Sequence, residues 1–189
     1  MPRLMIVVAS TRPGRVGLPV AEWFRQVAQD EGSFEIDFAD LAEINLPFLD
    51  EPHHPRLRQY QHEHTKAWSR RVDSADAFVF VTPEYDYGMP ATLLNALHFL
   101  VHEWTYKPVG FVSYGGVSGG TRSVQMAKLV TTSLKLVPLP EAVNIPFVSQ
   151  FLKEGRLEVN EITATAADTL LKELARWAES LAPLRAKAA

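Results

Sequence analysis

Cysteine is missing from all 189 residues, which removes disulfides, thiol nucleophiles, iron–sulfur ligation and thiolate zinc sites together. Redox chemistry, if the chain performs any, then needs a bound cofactor. Excess positive charge is missing too. Nineteen Lys and Arg stand against 22 Asp and Glu, a formal net charge of −3, so no overall basic field gathers nucleic acid. No apolar stretch approaches the length of a membrane span. The N-terminus runs straight into a strand, without the charged region, apolar core and cleavage site of a secretory signal. The expectation is a cytoplasmic protein that engages neither nucleic acid nor membrane. Repeats, low-complexity segments and interdomain linkers are also lacking. With 47% hydrophobic and 22% charged residues, the length suits one well-buried domain, residues 1–189, and is short for two.

What is present centres on Ser10-Thr11-Arg12-Pro13-Gly14-Arg15-Val16-Gly17. Before it, Leu4 to Ala9 is an unbroken apolar run of strand length, which suits a strand covered on both faces in a parallel sheet. After it, Pro19 fits a first helical turn, and Val20, Trp23, Phe24 and Val27 recur at i, i+3, i+4 and i+7. The loop therefore joins the carboxyl end of the first strand to the N-terminus of the first helix, where free backbone N–H groups favour an anion. Ser10 and Thr11 add hydroxyls. Gly14 and Gly17 allow close approach or positive φ, and Arg12 and Arg15 have the fork geometry that phosphate oxygens accept. A phosphate cradle is one reading, and a polar turn with solvated arginines is the other.

Further along, residues 34–39 alternate as an edge strand. Residues 40–55 read as an ordered loop anchored by Leu46, Phe48 and Leu49. Leu57, Tyr60, His64, Trp68 and Val72 follow helical spacing. A second buried strand, 77–82, runs into Pro83-Glu84-Tyr85-Asp86-Tyr87-Gly88-Met89, and an apolar helix is expected from Pro90 to Trp104. A strand at 109–113 ends in Ser113-Tyr114-Gly115-Gly116-Val117-Ser118-Gly119-Gly120. A helix to about Leu134, a proline-interrupted strand within 137–147 and a last helix from about Ile162 to Leu184 complete the pattern. Strands alternating with helices predict an α/β, doubly wound, five-stranded parallel sheet of order 2-1-3-4-5 with helices on both faces. Loops 10–17, 83–89 and 113–120 would then converge at the carboxyl ends of the strands, where such sheets bind ligands.

These three loops carry a resemblance. Ser10-x-Arg12, then Pro83-Glu84-Tyr85-Asp86 with Gly88-x-Pro90 and Leu94-Asn95-Ala96-Leu97, then Lys107-Pro108 leading to Ser113-Tyr114-Gly115-Gly116, resemble the NADPH-dependent FMN reductase family across the chain. That family comprises flavodoxin-like oxidoreductases, including quinone, azo-dye and chromate reductases. The resemblance implies FMN as cofactor and NADPH or NADH as co-substrate, with hydride passing to the flavin and then to a small acceptor such as a quinone or free flavin. Residues Ser10, Thr11, Arg12, Arg15, Val16 and Gly17 would hold the phosphate, Pro83, Glu84, Tyr85 and Asp86 would pack against the ring, and Ser113, Tyr114, Gly115 and Gly116 would meet its pyrimidine edge. No catalytic side chain and no metal are implied. The family usually has asparagine at the position of Asp86, and often lysine and aspartate at those of Leu94 and His98.

Rival readings come from other residues. A flavodoxin-type electron carrier would share the fold, though such carriers are typically more acidic around the flavin. His98 and His102, at i, i+4 beside Glu103, have chelate spacing but no third ligand. His53 and His54 lie in a proline-flanked loop, and His62 and His64 are expected on different helix faces. Glu84 and Asp86 lie in one loop, unlike a glycosidase pair. The glycines from 115 to 120 lack Gly-x-Gly-x-x-Gly spacing. Arg15 and Arg122 are both candidates for a 2′-phosphate. The apolar residues all round the 90–104 segment predict a subunit contact in a homodimer or dimer of dimers, unless the 40–55 loop or last helix covers them.

Overall fold

The computed structural model describes residues 1–188. In chain order the elements are β1 (Arg3–Val8), α1 (Gly17–Glu31), β2 (Glu35–Asp40), α2 (Leu41–Ile44), α3 (Glu63–Asp73), β3 (Ala77–Pro83), α4 (Ala91–His98), β4 (Pro108–Tyr114), α5 (Thr121–Ser133), β5 (Val137–Ile145), β6 (Leu152–Lys153), β7 (Arg156–Leu157) and α6 (Glu161–Ala188). Strands β2-β1-β3-β4-β5 form one parallel sheet, and β6-β7 is a small separate hairpin.

The continuous apolar strands are buried on both faces because strand side chains alternate. Leu4, Ile6 and Val8 pack with Val20 and Phe24 of α1 and Leu170 and Leu174 of α6. Met5, Val7 and Ala9 pack with Trp68 of α3, Leu93 and Leu97 of α4 and Val124 of α5. Edge strand β2 buries Asp37, whose carboxylate is forked by Arg71 of α3 at 2.7–3.1 Å. Gly32 closes α1 at φ 80°, donating its N–H to the Ala28 carbonyl, as a left-handed C-terminal glycine does.

Several expectations need correction. The helix expected from 57 begins at Glu63: Leu57 is exposed, Arg58 has φ 51°, and the Glu51 carboxylate accepts the N–H groups of Gln61 and His62 at 2.7 and 3.0 Å. That distant carboxylate sets the helix start. His62 consequently lies outside the helix, and its ring stacks on His64 with centroids 5.2 Å apart, both facing Asp50. Of the expected loop anchors, Leu46 packs on the core while Phe48 and Leu49 are exposed.

The helix expected to reach Trp104 stops at His98, and a separate 3₁₀ turn spans His102–Trp104. His98 and His102 therefore share no helix face, and Glu103 is buried, accepting from Tyr60 and Ser69 at 2.9 and 2.7 Å. Nor is the segment's apolar surface uncovered. Leu93, Ala96, Leu97, Phe99, Leu100 and Trp104 are buried within the chain, packed with Trp68, Leu41 and strands of the sheet. The 41–62 strap helps cover it: the Asn95 amide donates to the Pro47 carbonyl at 2.7 Å and accepts the Leu49 N–H at 3.0 Å. The case for a subunit contact on this face is removed.

Packing of α6 on β4 generates a test. A Cβ at Gly110 would come within 2.6 Å of Leu170 Cδ1. Overpacking of this kind costs typically 1–3 kcal/mol. Gly110→Ala should lose about that much in urea unfolding, and adding Leu170→Ala should give a double variant with a smaller loss than the two single losses summed. Simple additivity would disprove the steric account.

Candidate functional site

The five strand ends are in register, with Val8 beside Asp40 and Val81, Pro83 beside Tyr114, and Tyr114 beside Ile145. All fourteen site residues expected from the sequence therefore gather at one edge of the sheet. In the first loop the N–H groups of Ser10, Thr11, Arg12, Gly14, Val16, Gly17 and Leu18 have no acceptor among the described residues. Only Arg15 within it is turned inward, donating its N–H to the Arg12 carbonyl at 3.1 Å, with Gly14 at φ 68° completing the turn. Pro19 supplies no N–H, and α1 has no acidic residue in its first turn. The result is a set of unpaired donors at a helix N-terminus, an arrangement that favours an anion.

Below this loop lie three hydroxyls. Ser10, 1% exposed, has its Oγ 2.7 Å from Tyr85 Oη, and the Tyr114 hydroxyl sits under Gly17, where any Cβ would overlap it. Gly17 is thus required for close approach, since it has no positive φ. Burial, then the neighbouring Tyr85, pushes the Tyr114 hydroxyl's pKa up, outweighing the lowering by Ser10, Arg15 and Arg12. Tyr114 stays a neutral hydroxyl. The two arginines differ: Arg15 is ion-paired with the buried Asp40, while Arg12 is exposed with no side-chain partner among the described residues.

The second loop is a two-residue hairpin. Tyr85 and Gly88 exchange both backbone hydrogen bonds, at 3.0 and 2.8 Å, and Asp86 and Tyr87 have φ 50° and 67°. Positive φ at both central positions defines a type I′ turn, which favours Asn or Asp at the first and Gly at the second. Tyr87 is held there by Arg122, whose guanidinium carbon lies 3.9 Å over its ring. Arg122 also grips Glu84: Nε donates to Oε1 at 2.6 Å, the backbone N–H to Oε2 at 3.1 Å, and Ser118 Oγ to Oε2 at 3.0 Å. Burial would raise the Glu84 pKa, but these hydrogen bonds and the Arg122 charge hold it below the usual carboxylate range. Glu84 is therefore a clasp between the second and third loops, unsuited to act as a general acid. Arg122 and Arg15, the two candidates for a 2′-phosphate, are both paired with carboxylates.

The third loop is folded by its glycines. Gly119 and Gly120 have φ 57° and 81°, and a Cβ at 120 would sit 2.9 Å from Tyr114 N and O. Ser113 Oγ fastens the loop, donating to the Gly119 carbonyl at 2.7 Å or to Asn144 Oδ1 at 2.9 Å. Gly115 donates to Ile145, whereas the N–H groups of Gly116 and Val117 have no acceptor among the described residues, and space beside Gly116 is open. Sequence reading did not reach the contacts made by Asp40, by Asn95 and among the three hydroxyls, which span 25 to 75 residues. Among the described residues no group of three or more His, Cys, Asp or Glu is arranged to hold a metal, and no helix is long and apolar enough to cross a membrane.

Sheet order, donor-lined first loop and two flanking loops define the flavodoxin-like class. The structure superposes on FerB, a flavoenzyme NAD(P)H:(acceptor) oxidoreductase from Paracoccus denitrificans, with a TM-score of 0.76 at 20% identity, covering 95% of this chain and 98% of that one. A family model described as NADPH-dependent FMN reductase matches residues 2–150. An NAD(P)H-dependent FMN reductase of Schizosaccharomyces pombe is 37% identical over 148 residues, 77% of this chain and 74% of its own length. An NADPH:quinone oxidoreductase of Arabidopsis thaliana is 31% identical over 116 residues, 58% of this chain and 59% of its own. The chain belongs to the NADPH-dependent FMN reductase family, whose members are oxidoreductases using FMN and NAD(P)H.

The clasp can be tested on the free protein. A surface ion pair with a stacked guanidinium is screened by solvent and contributes modestly, on the order of a severalfold change in an opening equilibrium. Arg122→Ala should raise amide exchange of residues 84–88 by that factor and leave β3 protected. In the wild type the Glu84 pKa is lowered on folding, so the clasp is complete above the unfolded carboxylate value of about 4.3 and is lost as pH falls through the folded value. Unchanged exchange in Arg122→Ala would rule the clasp out.

Proposed function

We propose that the chain is an FMN-containing NAD(P)H oxidoreductase in which nicotinamide and a small acceptor, a quinone or free flavin, use one opening in turn. The observation that carries this reading is the set of seven N–H groups without internal acceptors at the switch between β1 and β3, flanked by two pinned loops. The residues present fit FMN. Arg12 and the α1 terminus suit a phosphate monoester, and the open backbone at Gly116 suits a flat ring edge. When bound, FMN supplies the hydride acceptor and donor that a chain without cysteine does not provide.

The chain's own residues bind and orient. Ser10, Thr11, Arg12, Arg15, Val16 and Gly17 hold the phosphate by N–H, hydroxyl and guanidinium donors. Pro83 and Tyr85 shape the wall of the ring site, with Glu84 fixing that wall through Arg122. Backbone N–H groups of Asp86, Tyr87, Gly116 and Val117, without acceptors among the described residues, would be available to the ring carbonyls and would favour negative charge there. The Asp86 side chain is exposed and forms no hydrogen bond among the described residues, leaving it able to accept from a ring N–H. Ser113 and Gly115 hold the third loop in shape through Gly119, Asn144 and Ile145. Tyr114, neutral and buried, supports the first loop from below. No side chain in the site is arranged for acid–base catalysis, so its work is to set the distance and angle between nicotinamide and ring.

A second copy of the chain remains part of the proposal, through exposed apolar residues such as Phe48 of the strap and Tyr87 and Val117 of the second and third loops. Sedimentation as a monomer at micromolar concentration would remove it.

Mixing the protein anaerobically with NADPH or NADH should bleach its flavin absorbance quickly, and steady-state double-reciprocal plots against a quinone should be parallel. Slow bleaching by both nicotinamides would favour an electron carrier, and intersecting lines would end the shared-opening scheme. For the cradle, Arg12→Glu should weaken FMN at least tenfold, because one charge-assisted contact contributes ~1.5–3 kcal/mol before repulsion is added. Full FMN retention in that variant would displace the phosphate from the first loop.

A further inference from the structure

Asp40 ends β2 beside Val8 of β1 and is 3% exposed. Its oxygens are divided between two tasks. Oδ1 accepts the Ala42 N–H at 3.0 Å and so starts α2, while Oδ2 accepts from Arg15 Nη2 in an ion pair. Arg15 is thereby drawn in until its side chain is only 15% exposed. Its Nε and Nη1 donors have no acceptor among the described residues. Five fixed donors on a planar group suit a phosphate only if the plane is held, and Asp40 is the group that holds it.

Building on the FMN reading, we propose that Asp40 is a positioning residue for the flavin phosphate: it fixes Arg15 so that the remaining guanidinium donors meet the phosphate, and it ties the occupied cradle to the start of the 41–62 strap. The alternative makes the opposite prediction. A carboxylate that merely stood near the site would repel a phosphate, and neutralising it would tighten FMN binding. Under the positioning role neutralisation weakens binding, because freedom returned to Arg15 has to be lost again when phosphate binds. The 5′-phosphate is what separates FMN from riboflavin, so the effect should belong to FMN alone.

The experiment loads the full-length protein with FMN or with riboflavin and follows flavin release on dilution by fluorescence, with circular dichroism and melting recorded for every variant. Asp40→Asn, which keeps an amide oxygen for Ala42, should raise the FMN dissociation constant about tenfold and leave riboflavin within twofold. Outer partners that orient metal-ligating side chains have effects of this size. Unchanged or tighter FMN binding, or equal weakening of both flavins, would overturn the proposal. If Asp40→Asn fails to fold, Arg15→Lys decides: it keeps the charge and the pairing with Asp40 but loses the fork, so FMN should weaken and riboflavin should not. Undiminished FMN binding by that variant would overturn the proposal as well. A wild-type protein that retains neither flavin would instead overturn the FMN reading and the role of Asp40 with it.

Discussion

The pairing of β1 with β3, Val8 against Val81, is the constraint on which the site depends. A crossover from one parallel strand to the next is right-handed. The chain leaving β1 therefore covers one face on its way to β2, and the chain leaving β3 covers the other on its way to β4. The two exits diverge. Between them lies a crevice that no helix fills, and the backbone leaving β1 has no strand or helix to accept its N–H groups. Apart from Arg15, the backbone donors from Ser10 to Leu18 are unpaired for this topological reason. The hydroxyl cluster of Ser10, Tyr85 and Tyr114 then closes the floor, because three successive strand ends bring those side chains together.

Charge at this edge is distributed so that most of it is internally balanced. Glu84 takes up Arg122, and Asp40 takes up Arg15. What remains for an incoming anion is one solvent-facing cation, Arg12, the Arg15 donors that Asp40 leaves open, and a set of backbone dipoles. Dipoles fixed by the fold lose little freedom on binding, whereas a free arginine loses rotamer entropy. Affinity built mainly from backbone donors is thus compatible with a chain of net charge −3.

How much of this was readable from the sequence varies with the range of the interaction. The buried strands and α1 were readable because burial imposes a period that local residues carry. The loop positions followed from strand ends. The 90–104 segment failed for an informative reason: its side chains are buried on nearly every side, by sheet, α3 and strap, so apolar residues all round recorded burial and said nothing of helical continuity. The start of α3 failed because Glu51, ten and eleven residues before Gln61 and His62, holds the N–H groups of those two residues just ahead of the helix. Arg15 and Arg122 were visible as cations, but their carboxylate partners lie 25 and 38 residues away. A list of charges does not reveal which of them are already paired.

Asp86 shows how backbone and cofactor chemistry meet at one position. Asparagine and aspartate are the side chains that tolerate left-handed φ best after glycine. The first place of a type I′ turn therefore admits both on conformational grounds alone. Their difference appears only toward the ligand: the amide donates and accepts, while the carboxylate accepts and brings a charge. Arg122, the cation that touches this turn, is spent on Glu84 and on the Tyr87 ring. A carboxylate left uncompensated there resists the arrival of negative charge on any ring beside it. The turn fixes where residue 86 stands, and under the proposed FMN site the choice between its two permitted side chains would set how readily the flavin is reduced.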